Sequence, residues 1–72
     1  MTNFVGNGIY KPYSREVDLE QPLLVRDLGA FLNIPKDLSD NLIVVRRSQV
    51  LGSEELIQNN EEILFFFAAM GG

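Results

Sequence analysis

The chain has 72 residues, of which 46% are apolar and 10% aromatic, and its acidic side chains outnumber its basic ones to leave a net charge of −4. That length holds a single core, and a chain so short buries only about 60% of its unfolded surface on folding. With no cysteine and no histidine, it lacks disulfides, thiolate metal sites, thiol nucleophiles and the commonest general base.

These exclusions point away from a self-sufficient enzyme and towards a binding module, a carrier or a small structural domain. The acidic balance argues against nucleic acid, whose recognition needs a basic face, and favours a basic partner. The longest apolar run, Ile63 to Met70, is far short of the roughly 18 residues that span a bilayer. Met1 to Gly8 has neither the basic nor the apolar segment of a secretory signal. The expected setting is cytoplasmic, without membrane or nucleic-acid partners.

Asn3 to Tyr10 carries Phe4, Val5, Ile9 and Tyr10 around two glycines, a strand with an irregular middle. Arg15 to Leu19 alternates polar and apolar residues, the mark of a half-buried strand, and the two segments are expected to pair as a hairpin. Leu24, Val25, Leu28, Phe31 and Leu32 then fall on one helical face, so the spacing predicts a helix over Leu24–Leu32. Pro22 suits its entry, Asn33 its exit, and Pro35 forbids its continuation. Gly29 inside it costs about 1 kcal/mol against alanine, a cost compatible with close packing on a sheet. Leu24 at the cap position has no side-chain acceptor.

Lys36 to Asn41 is polar and turn-like, and Leu42-Ile43-Val44-Val45 reads as a central strand. Arg46, Arg47 and Ser48 turn the chain, and Gln49-Val50-Leu51 returns as a short strand. Ser53 to Ile57 is expected as one helical turn capped by Ser53, and Gln58 to Glu61 as a further turn. Glu62 to Ala68 forms the last strand, followed by residues 69–72 as a flexible tail. The order gives one α+β domain over residues 1–72, with a mixed four- to five-stranded sheet and one main helix on one face. One helix covers one face only, whereas the last strand places Ile63, Phe65 and Phe67 on one side and Leu64, Phe66 and Ala68 on the other. Part of Leu64, Phe65, Phe66 and Phe67 is therefore expected to dock a partner. The pairs Glu54-Glu55 and Glu61-Glu62, with no base or nucleophile beside them, read as surface charge, and Arg46-Arg47 as a solvated turn.

The helix Leu24–Leu32, the turn Asn59-Asn60-Glu61-Glu62, the strand Ile63–Ala68 and the closing Gly71-Gly72 together resemble the β-grasp, ubiquitin-like sulfur carrier proteins. These are the carrier of thiamine-thiazole formation and the small subunit of molybdopterin synthase. The resemblance covers nearly the whole chain. The helix is similar to the family's Thr-Val-x-x-Leu-Leu-x-x-Leu, and Asn59-Asn60-Glu61-Glu62-Ile63 to its Asp-Gly-Asp-Glu-Val.

The resemblance implies that Gly72 is the sulfur acceptor. A partner enzyme adenylates its carboxylate with ATP, and a sulfur donor protein displaces AMP to leave a thiocarboxylate that a sulfur-accepting synthase uses. The chain itself would bind no cofactor and contribute no catalytic residue or metal. Gly71 and Met70 would thread the partner's channel, for which glycine's lack of a side chain is suited. Two departures bear on the pathway. Relatives often have Asn-Gly where this chain has Arg46-Arg47-Ser48-Gln49, and molybdopterin synthase small subunits often have prolines where it has Phe67-Ala68-Ala69. With only Asn33 to Glu61 between helix and last strand, the shorter thiazole-type carrier is the closer match. The molybdopterin subunit, a protein modifier conjugated through Gly72, and a bare interaction domain remain the alternatives.

Overall fold

Thr2–Gly6 forms strand β1, with alternate residues Thr2, Phe4 and Gly6 buried. The computed structural model describes residues 1–68. β1 pairs antiparallel with β2 (Arg15–Val17) and parallel with β7 (Glu62–Phe67), which in turn pairs antiparallel with β4 (Leu42–Arg46). A short β5 (Gln49–Val50) closes the sheet, giving the order β2-β1-β7-β4-β5. The expected hairpin of the first two strands is present, as is the mixed five-stranded sheet. The middle position belongs to β7, however. Leu42 to Arg46 lies one strand further out, flanked by β7 and β5; its Val44 faces the core, while Ile43 and Val45 lie on the opposite side of the sheet.

β1 stops at Gly6, and the expected strand does not run on to Tyr10. Gly8–Tyr13 is a 3₁₀ helix that folds back over the strand end. A Cβ on Gly6 would collide with the Tyr10 carbonyl and the Phe65 ring, so only glycine permits this crossing. Tyr10 is fully buried by the same fold-back.

The helical layer also differs from the expectation. Leu23–Leu24 is strand β3, paired with β6 (Leu56–Ile57) in a second, two-stranded sheet. The helix starts after it, as a 3₁₀ turn over Val25–Asp27 and one α-turn, α1, over Leu28–Phe31. Leu24 offers no side-chain cap, and the backbone supplies the missing acceptors. Val25 N–H donates to Glu55 O and Arg26 N–H to Ser53 O, each at 3.0 Å. The segment Ser53–Ile57, expected as a helical turn, is thus drawn out as the strand and loop that cap the real helix.

At the other end Asn33 adopts φ 60°. Ile34 N–H bonds Gly29 O at 2.8 Å and Asn33 N–H bonds Ala30 O at 3.2 Å, the double closure of a Schellman motif. A second helix, α2 (Lys36–Ser39), occupies the stretch read as a turn. It also explains Gly29, whose Cβ would meet the Ser39 side chain. The glycine serves helix-to-helix contact rather than contact with the sheet. Phe4, Ile63, Phe65 and Val44 from the sheet meet Val25, Leu28, Leu32 and Ile34 in a single core.

Candidate functional site

The alternation of β7 divides the aromatic run between two environments. Ile63 and Phe65 are fully buried beneath the helical layer, and Phe65 packs at 5.9 Å between ring centroids against Tyr10. Phe65 therefore belongs to the core and offers no surface to a partner. Phe67 lies in the same row but beyond the end of the core. It is 42% exposed and stacks on the other part of the Tyr10 ring at 6.4 Å.

Leu64, Phe66 and Ala68 point to the opposite face. The register sets Val5 and Val45 on either side of Leu64, Ile43 beside Phe66, and Val50 beyond Val45. None of these side chains joins the core cluster, and Val50 is 65% exposed. Among the described residues, the helices and the second sheet pack on the other side, so this apolar face is left open. One border carries the row Glu16, Asn3 and Glu62, fixed by the pairing of Asn3 with both neighbours. An apolar centre with a polar edge is the anatomy of a docking surface. At the far end of β7, a shallow groove of about 470 Å³ runs between Asn7, Gly8, Ile9, Phe66 and Phe67. Ile9, expected as a strand residue, is instead an exposed wall of that groove; its signal in the sequence was the Asn7-Gly8 pair that ends the strand.

Arg46, read as part of a solvated turn, is the last residue of β4 and half-buried. Its guanidinium donates to Leu56 O at 2.9 Å and reaches the carboxylates of Glu61 at 3.3 Å and Glu55 at 3.7 Å. Two of the acids read as plain surface charge hold turns as well. Glu61 accepts from Gln58 N–H at 2.7 Å, and Glu55 from Gly52 N–H at 2.9 Å. In both turns an acid stands three residues after the N–H it accepts, a spacing that marks local closure. Arg46 thus fastens the second sheet to the first and is not available for a partner; Arg47, exposed at the hairpin tip, is.

Burial shifts one ionisable side chain, the Tyr10 phenol, whose pKa is pushed above its ordinary value by desolvation. Its hydroxyl donates to Leu38 O at 2.6 Å. It lies inside the core and is a structural group. A second cleft, of about 490 Å³, lies between the helical layer and β4; none of Leu64, Phe65, Phe66 and Phe67 lines it, and the charged Lys36 and Asp40 at its edge pair with each other at 3.2 Å. Among the described residues no cluster of carboxylates is arranged to hold a metal, and no helix is long and apolar enough to cross a membrane. The residues expected to receive sulfur and thread a channel, Gly72, Gly71 and Met70, lie outside the described residues. In comparisons with known proteins, no family model matches the chain and no curated protein matches it significantly.

Proposed function

We propose that the chain is a β-grasp sulfur carrier, with the Gly72 carboxylate as the group that is activated and loaded, and thiamine-thiazole formation as the first candidate destination. The observation that carries this reading is the place of β7. It is the middle strand of a mixed sheet, parallel to β1 and antiparallel to β4, with helices on one face. Four residues after Ala68, the sequence reaches Gly72. The strand is paired on both sides, and in the sequence Gly71-Gly72 follows it after Ala68, Ala69 and Met70. The open face of Leu64, Phe66, Val45 and Val50 supports the reading as the surface on which the partners dock.

In the proposed reaction a carboxylate oxygen of Gly72 attacks the α-phosphorus of ATP, and pyrophosphate leaves. The acyl adenylate has a good leaving group on the Gly72 carbonyl carbon. A sulfur donor attacks that carbon and AMP departs, leaving the thiocarboxylate. The adenylating enzyme, the sulfur donor and the accepting synthase supply every acid, base and metal these steps need. In this proposal the chain contributes the Gly72 carboxylate, ionised at neutral pH as any free α-carboxyl is, and glycines without side chains to obstruct an enclosing channel.

Pyrophosphate release tests this. The chain with its native C-terminus is incubated with ATP and each adenylating enzyme of the same genome. The expected result is release with one of them, lost on deletion of Gly71 and Gly72 and weakened by Val50→Glu or Phe66→Ser in a protein that still folds. Release with none of them, or release indifferent to the deletion, contradicts the proposal; conjugates of higher mass would instead identify a protein modifier.

A further inference from the structure

Asn7 and Gly8 stand where β1 gives way to the 3₁₀ helix, at the lip of the groove between Ile9, Phe66 and Phe67. We propose that this pair is a site of self-modification: Asn7 deamidates and isomerises without an enzyme, at a rate set by opening of the Gly8–Tyr13 turn. The proposal is independent of the carrier reading.

Three observations favour the reaction. The Asn7 side chain is exposed and makes no capping hydrogen bond, so its amide carbon is accessible. The Gly8 N–H is the first of its helix and has no intrahelical acceptor, nor does it donate to backbone elsewhere among the described residues. Gly8, at φ 58°, has nothing within 4 Å of where a Cβ would stand, so no neighbour blocks ring closure. The Gly8 nitrogen gives its proton to solvent base and attacks Cγ of Asn7. The new N–Cγ bond closes a five-membered succinimide as the Cγ–N bond breaks and ammonia leaves. Water then opens either carbonyl, restoring the chain as aspartate or, with one more methylene in the main chain, as isoaspartate. No electrons change hands and water is the only co-reactant.

Two hydrogen bonds hold the pair back. Asn7 is extended at ψ 153°, and ring closure requires that bond to rotate so that the Gly8 nitrogen swings over the side chain. Asn7 N–H is tied to Phe65 O and its carbonyl accepts from Tyr10 N–H, both at 3.0 Å. Tyr10 anchors the turn in turn through its buried ring and its 2.6 Å bond to Leu38 O. Cyclisation therefore waits for local opening of this turn, which leaves the rest of the sheet intact. Asn59 differs: its Oδ1 accepts from Thr2 and from Leu19 N–H, both at 3.1 Å. The product puts a carboxylate on an apolar groove, on a chain already at −4.

The full chain is aged at neutral pH beside a free peptide spanning Asn3 to Tyr13, and both are mapped by proteolysis and mass spectrometry. The expected result is a gain of one mass unit at Asn7 ahead of every other asparagine, as an aspartyl and isoaspartyl mixture. It should form several-fold more slowly than in the peptide, several-fold faster in Tyr10→Phe, and be lost in Asn7→Ser. The proposal is overturned if Asn7 keeps its amide in both the chain and Tyr10→Phe while the peptide converts. It is also overturned if Asn59 or Asn60 reacts first, or if the folded chain converts as fast as the peptide.

Discussion

The fully buried Tyr10 side chain donates its hydroxyl at 2.6 Å to the carbonyl of the half-buried Leu38. Tyr10→Phe removes this donor while the Leu38 carbonyl keeps its bond from Asn41 N–H at 3.2 Å, so it should lower stability by about 0.5–1.5 kcal/mol. The pH dependence has a definite sign. A phenol whose pKa is raised by folding contributes stability that is complete below its unfolded value, 10.0, and is lost as the pH rises through the folded value. The difference in urea midpoint between the native protein and Tyr10→Phe should therefore be constant below pH 10 and shrink above it; a difference that grows there contradicts the assignment. Arg47 and Ser48 form a two-residue hairpin loop with φ of 52° and 64°, the conformation of a type I′ turn, which Asn-Gly fits without strain. The double change Arg47→Asn and Ser48→Gly should raise stability by about 1 kcal/mol or more in a thermal melt. Both positions were recognisable in the sequence as a turn. Their left-handed backbone was not, since arginine and serine carry no preference for it.

The helices show where periodicity informs and where it fails. Val25, Leu28, Leu32 and the half-buried Phe31 face the core as their spacing requires, and Asn33 ends the helix as its residue type suggests. Leu23 and Leu24 share the apolar character of that stripe but belong to β3, because a pairing with Leu56 and Ile57 satisfies both segments; a partner more than thirty residues away leaves no mark on local spacing. The helix α2 was unreadable for a different reason. Four residues that bury no side chain fully have no apolar stripe, and Pro35 signals only that the previous helix has stopped. Gly29 now makes a discriminating test. Propensity alone has Gly29→Ala stabilise the helix by about 1 kcal/mol. The Ser39 side chain, 2.5 Å from where the new Cβ would stand, reverses that sign, and calorimetry should record a lower midpoint. A higher one would mean that α1 and α2 are not in contact.

Across the whole molecule the sequence sufficed for the α+β class, the mixed sheet and the surplus apolar face, because a six-residue apolar strand cannot hide both sides under a single helical layer. It did not reveal which aromatic was surplus. That depended on register: Phe65 lies over Val44 and within the core, while Phe67 pairs with Leu42 beyond its end. The proposed transfer chemistry at Gly72 draws its support from the open face and from the Gly71-Gly72 pair that the sequence carries after β7. The most direct measurement is the intact mass of the protein taken from its native host under sulfur demand, combined with alkylation selective for a sulfur nucleophile. In a chain without cysteine, the account predicts a fraction in which one oxygen is replaced by sulfur and which takes up one alkyl group at Gly72. A protein recovered under that demand with no alkylated fraction, or with uncleaved residues beyond Gly72, would contradict it.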